Sequence, residues 1–328
     1  PLAGLYAYLV GTAAGVLATS STFMVVRGTG AMAMIIADVP QVHQGEDPER
    51  ALFTLSILTG VVMLIAGALK LGSVLRFVSN AVMVGFISAV GVNIALGQLD
   101  NLTGFEAEGA NRVARAVTTV LSPGQLHWQS VLVGLVTIGL IIAFERTPVG
   151  PLGLVVAVLV TSGATFALGW SGVATLADLG VELDGLPLPT LPLLGEVPGL
   201  LVPAVSLAFV GLVQGASISA NFPNPDGKYP DASRDFVGQG VANVASGVLQ
   251  GMPVAGSVSA TAINKTAGAQ TRLAALVAAG VMAVVIVAFG DEVGYLAMPS
   301  LAGLLILVGI RTVKPADLRS VWRAGALQ

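Results

Sequence analysis

Apolar runs of bilayer-crossing length recur along the whole chain, and no other feature limits the fold as much. At 1.5 Å per residue, about 20 apolar residues cross the hydrocarbon core. A spanning segment must also satisfy its own backbone, which leaves helices or closed barrels. Runs at 3–19, 24–38, 51–70, 76–99, 129–144, 151–170, 198–220, 234–250, 256–268, 271–290 and 294–312 read as eleven helical segments. Only 10% of the 328 residues are charged, against about 25% in soluble domains. The expected fold class is therefore an all-α, multi-pass membrane protein in contact with the lipid bilayer.

The residue inventory narrows the chemistry. There is no cysteine, so neither a thiol site nor a cysteine zinc site is available. The two histidines, His43 and His127, fall in polar connections and read as solvated residues. No metal, cofactor or nucleic-acid partner is expected. An enzyme would need acid–base groups gathered at one depth, and the acidic residues lie almost wholly in connections.

Charge gives the sides. With the connection 38–50 outside, the inside connections hold Lys70, Arg76, Arg146, Lys228, Arg234, Lys265, Arg272, Arg311, Lys314, Arg319 and Arg323. The outside ones hold Arg50, Arg112 and Arg115. Basic residues mark the cytoplasmic side. A cell-membrane protein with 70–76, 145–150, 222–235 and the C-terminus in the cytoplasm is expected.

Two segments, 24–38 and 256–268, are too short to cross alone. The alternation holds only if extended chain near 20–26 and 251–256 completes each crossing. The two half-helices are then antiparallel, with their N-termini facing near the midplane, as in transporters built from inverted repeats. A helix N-terminus carries unpaired N–H groups and about half a positive charge, so two of them suit an anion. Pro253 favours extended chain, and Gly256 is read as admitting a ligand to the main chain. Main-chain N–H groups at 28–31 and 257–259, including Val258, are the expected donors. Hydroxyls of Thr29, Ser257, Ser259 and Thr261 lie around them, and Gly28 and Gly30 serve the first segment. The competing reading is that the small residues only allow close helix packing. Arg27 is a functional-site residue by its depth, or it snorkels to the surface. Gln214 either lines the site or bridges helices. Asn93, Gln98 and Asn243 read as helix–helix glue.

PLAGLYAYLVGTAAGVLATSS (1–21), GFISAVGVNIALGQLDNLTG (85–104) and DFVGQGVANVASGVLQGMPVAGSVSATAINKTAGAQTRLA (235–274) resemble segments of the sulfate permease (SulP) family of anion transporters. The resemblance implies a fold of fourteen spans in two inverted repeats of seven, with core and gate domains. An anion would bind between the half-helices. It places this chain at spans two to twelve, without the first span, the last two spans and the STAS domain. Residues 1–170 would form the first repeat, 171–197 an extracellular connection and 198–328 the second repeat. It further implies a homodimer of the full-length protein. Three departures stand out: Gln214 where many members have Glu, Ala260 where many have Arg, and Thr22 where a basic residue often follows the Ser-Ser. The expected function is secondary transport of a small inorganic or carboxylate anion such as sulfate or bicarbonate. An anion channel or a nucleobase carrier of the same architecture is the alternative.

Overall fold

The structure, a computed structural model, describes residues 2–72, 80–147, 150–179 and 185–313. Arg76, Glu182, Asp184, Lys314, Arg319 and Arg323, with most of the 70–76 connection, lie outside the described residues.

Helices track the apolar runs. From the N-terminus come α1 (Leu2–Ala18), strand β1 (Val26–Arg27), α2 (Gly30–Ala37), α3 (Gln41–Gln44) and α4 (Pro48–Ala68). Then follow α5 (Asn80–Gly97), α6 (Leu99–Thr103), α7 (Arg112–Leu121), α8 (Trp128–Phe144) and α9 (Gly153–Ala167). The last group is α10 (Val197–Asn221), α11 (Ala232–Val248), β2 (Ala255–Gly256), α12 (Val258–Thr266), α13 (Leu273–Ala288), α14 (Gly290–Gly294) and α15 (Met298–Thr312). Local chemistry sets the starts. Asp47 accepts the Arg50 N–H ahead of Pro48, and Asp231 accepts the N–H groups of Ser233 and Arg234; both are N-caps.

Two differences from the sequence reading stand out. Helices α9, α13 and α15 have 15, 16 and 15 residues, shorter than the segments assigned to them. Among the described residues, Pro48–Ala68 and Leu194–Asn221 are the helices long and apolar enough to cross a bilayer. The connection after α6 also holds a full helix, α7, where no helix was expected.

The chain forms two compact units, one of Pro1–Val78 with Leu183–Phe289, the other of Ser79–Glu182 with Gly290–Gln328. Each draws on both sequence halves, so these bodies are not the segments 1–170 and 198–328.

The first unit packs α4 against α11 through glycines seven apart on each helix. A Cβ on Gly60 would lie 2.7 Å from the Gly240 carbonyl oxygen, and one on Gly247 2.5 Å from that of Phe53. Such backbone contact is how helices associate where lipid is as apolar as leucine. Met32, Leu55, Met63, Leu200, Leu207 and Phe236 fill the interior beside this seam. Polarity runs inward: Thr12, Ser56, Thr59, Asp235, Gln239 and Asn243 are buried, while Leu273, Val277, Val281, Val284 and Val287 are exposed along α13. That is the reverse of a water-soluble helix and the order a lipid solvent favours.

In the second unit, Thr161 on α9 joins Thr137 on α8 (2.9 Å) and Ser300 on α15 (2.8 Å). Arg311 hydrogen-bonds Glu145, tying the ends of α15 and α8 together. His127 bonds Ser130 at 2.9 Å.

Candidate functional site

The site is built on two extended segments inside the first unit. Pro253 lacks an N–H and fixes φ, so the chain after α11 cannot coil at once into helix. It runs extended to β2, which pairs antiparallel with β1: Val26 faces Gly256 and Arg27 faces Ala255. The ladder continues as the Ser257 N–H donates to the Val25 carbonyl at 2.9 Å. Because the strands are antiparallel, the chain leaves the ribbon in opposite directions into α2 and α12. Both helices are capped alike. Thr29 accepts the Met32 N–H, and Ser257 accepts the Ala260 N–H. By position, the N–H groups of Gly30 and Ala31 in α2, and of Val258 and Ser259 in α12, then have no intrahelical acceptor.

The side chains converge across the ribbon. The half-buried Arg27 donates through Nε to Ser257 Oγ at 3.3 Å, so the cation of one half touches the cap of the other. Its guanidinium lies 6.0 Å from the Tyr8 ring centroid. Ser257 Oγ is 3.4 Å from Ser259 Oγ. Thr29 Oγ1 is 3.5 Å from Oε1 of the buried Gln214, a long contact that brings α10 to the start of α2. Gly28 leaves room for Met252, whose sulfur would lie 3.4 Å from a Cβ there.

Several expected roles come out differently. Gly256 was read as the point where a ligand meets the main chain. Instead α10 fills that space: a Cβ would sit 2.9 Å from Ile218 Cδ1, and the Gly256 N–H donates to Gln239 Oε1 at 2.9 Å. The Ser257 N–H is likewise used by the ladder. Thr261 is fully buried and accepts the Val25 N–H at 3.3 Å. Asn243 binds the strand as well as another helix, with Oδ1 accepting the Val254 N–H and Nδ2 donating to the Val254 carbonyl and to Met63 Sδ on α4. Gln98 accepts from Asn101 within its own turn (3.1 Å), whereas Asn93 keeps the expected helix–helix role, accepting from Arg112 of α7 (2.6 Å).

Asp235 was not singled out in the sequence, where it falls at the junction of the 222–235 connection and the 234–250 run. It is fully buried. One carboxylate oxygen accepts from Thr19 Oγ1, Ser20 N, Ser20 Oγ and Ser21 N at 2.6–3.1 Å, and the other from Ser219 Oγ at 2.7 Å. Five donors compensate the buried charge without a cation. They fix the turn after α1 that leads into β1. The available signal was the spacing of Asp235, Gln239 and Asn243, four apart and thus on one helix face.

A model of the sulfate permease family matches residues 1–327. A probable sulfate transporter of Mycobacterium tuberculosis is 26% identical over 330 residues, covering 98% of this chain and 58% of that protein. The bicarbonate transporter BicA of Synechocystis is 26% identical over 316 residues, covering 94% of this chain and 55% of its own length. The chain thus spans little more than half of these relatives. Among solved structures, the transmembrane domain of a cyanobacterial bicarbonate transporter BicA superposes with a TM-score of 0.80 at 22% identity, covering 97% of this chain and 83% of that one. Murine solute carrier 26 family member A9, an anion transporter in the inward-facing state, gives 0.78 at 17% identity, covering 98% and 60%. The helical, multi-pass membrane fold is common to all of these, and with a family model that extends over nearly every residue, the chain belongs to the sulfate permease family.

Proposed function

We propose that this chain forms the substrate-carrying part of a secondary anion transporter. A small anion is held by the free N–H groups at the first turns of α2 and α12, with Arg27, Thr29, Ser257, Ser259 and Gln214 around it. The observation that carries this reading is the Arg27–Ser257 contact, which sets a cation between two capped helix starts. Among the described residues no carboxylate pairs with Arg27, so its charge is open to a ligand. At an effective dielectric of about 20, a unit anion 4 Å away gains roughly 4 kcal/mol. Each helix start adds about 0.3–2 kcal/mol. The single Arg therefore contributes at least as much as both helix ends together, and it supplies the charge that Ala260 does not.

The sulfate and bicarbonate in the relatives' names support a small inorganic or carboxylate anion as the substrate. Transport proceeds by alternating access, the loaded site opening in turn to each side. Gln214 cannot take up a proton, so coupling to a proton through that position is absent. The full-length protein forms a homodimer, with the basic connections in the cytoplasm of the cell membrane.

The test is uptake of labelled sulfate, bicarbonate, chloride and fumarate by the full-length protein in proteoliposomes, with and without proton or sodium gradients. Saturable uptake of one anion, indifferent to both gradients, is expected. Gradient-driven uptake keeps the transporter reading and shows that coupling runs through residues other than Gln214, and no uptake by folded protein overturns the transporter reading.

A further inference from the structure

Strand β2 has β1 on one edge, and its other edge faces α11, whose backbone bonds are used within the helix. Side-chain amides stand in for a third strand. Asn243 makes both bonds of a strand neighbour, accepting the Val254 N–H at 2.9 Å and donating to the Val254 carbonyl at 2.7 Å. Gln239, one turn earlier, accepts the Gly256 N–H at 2.9 Å. The match is metric. Val254 and Gly256 are two apart in the strand and point to one edge, about 6.6 Å from each other. Gln239 and Asn243 are four apart in the helix, a rise of about 6 Å on one face. A helix presenting amides at i and i+4 thus reads the alternate N–H groups of an antiparallel strand.

The two amides differ in one respect. Asn243 is fully paired. Gln239 is completely buried, yet its Nε2 has no acceptor among the described residues. It lies against Gly215, where a Cβ would come within 2.0 Å of it. A buried donor without a partner is rare and disfavoured, and it is tolerated where the chain gains a position it could not otherwise hold. Here that position is the peptide immediately before the cap of α12.

We infer that Gln239 is a positioning residue for the anion site. With Asn243 it sets the register of β2 against α11, and so fixes where α12 begins and where the Val258 and Ser259 N–H groups point. The anion-binding half rests on the function proposed above; the strand-positioning half does not.

Two measurements on the purified full-length protein separate them. Amide hydrogen exchange over 252–262 reads the strand without any ligand. Binding of sulfate and chloride between pH 5 and 9, where neither anion changes charge, reads the site. Gln239→Leu removes the acceptor. It is expected to speed exchange at 256–259 and weaken anion binding about tenfold, with little change in melting temperature. Gln239→Glu keeps an acceptor for the Gly256 N–H and loses its donor once ionised. It is expected to restore slow exchange and to make anion affinity fall as pH rises and the new carboxylate ionises. Thr59→Ala, a buried change on α4 without a bond to β2, is the comparison for general destabilisation. Unchanged exchange in Gln239→Leu overturns the inference. So does a loss of affinity no greater than in Thr59→Ala, with a flat pH profile in Gln239→Glu. If the wild type binds neither anion, the proposed function is what fails, and the exchange contrast still decides the role of Gln239.

Discussion

Arg27 concentrates the argument at the scale of single residues. It sits within a ribbon between two helix starts and touches Ser257 on the facing half. A hydrogen bond to a charged group contributes about 1.5–3 kcal/mol and a neutral one about 0.5–1.5. Arg27→Ala is therefore expected to weaken anion binding about 10- to 100-fold, and Ser259→Ala about 2- to 10-fold, measured by titration calorimetry. The reverse order, with Arg27→Ala silent, would remove Arg27 from the site. Thr29, Ser257 and Arg27 were legible in the sequence because capping and burial leave local marks: a hydroxyl before an apolar run, a charge within one. Asp235 and Gln239 were not. Their partners, such as Ser20 and Gly215, are distant in sequence, and only the fold brings a serine turn onto a carboxylate 215 positions away. Gly256 was misread for the same reason. A glycine in extended chain signals close approach, but the sequence does not say whether a ligand or the helix α10 approaches.

At the scale of elements, both half-helices were visible as short apolar runs, 24–38 and 256–268, and stand as β1 with α2 and β2 with α12. Helix α7 was not, because its polar residues dilute its hydropathy. Its exposed Val113, Val117, Val120 and Leu121 recur at i, i+4, i+7 and i+8, a helical period that a search for long apolar runs passes over. The contact of α4 with α11 makes a sharper claim. Gly60→Ala would press a methyl to 2.7 Å from backbone on α11, and overpacking of this kind costs about 1–3 kcal/mol. Gly163 on α9 has nothing within 4 Å of its added Cβ, and alanine gains about 1 kcal/mol of helix propensity there. Thermal melts in detergent should show Gly60→Ala lowered and Gly163→Ala equal or raised. Equal melts for both would mean the glycine seam is not a packing contact. At the end of α8, the Arg311 hydrogen bond holds the Glu145 carboxyl below the usual carboxylate range. A depressed pKa stabilises the fold above the unfolded value, about 4.3, and that contribution is lost as pH falls through the lower folded value. The difference in melting temperature between wild type and Arg311→Met should stay constant from pH 8 to 5 and close below about pH 4. A difference that changes between pH 8 and 6 would point to another group.

On the scale of the whole molecule, the sequence and the fold meet in the distribution of charge. Within the first unit, Arg50 donates to the Leu191 carbonyl and the Thr190 N–H to Val248, which gathers the start of α4, the approach to α10 and the end of α11. Ser20, Asn224, Asp231 and Arg272 meet in a second cluster. These are the groups that alternation of the apolar runs assigns to opposite sides, the first beside the acidic 38–50 connection and the second beside the connection that holds Lys228 and Arg234. A membrane imposes this order because each charge must reach water at one face, and basic residues are retained on the cytoplasmic one. These 328 residues hold no cysteine, so a single thiol introduced among them reports its side once any cysteine elsewhere in the full-length protein is replaced. Glu49→Cys, beside the first cluster, should react with a membrane-impermeant maleimide added to intact cells. Lys228→Cys, beside the second, should react only after permeabilisation. Labelling of Lys228→Cys in intact cells, with Glu49→Cys silent, would invert the orientation and reverse the direction in which the site loads. Labelling of both from one side would break the alternation itself, and with it the antiparallel crossing of the two halves on which the proposed anion site depends.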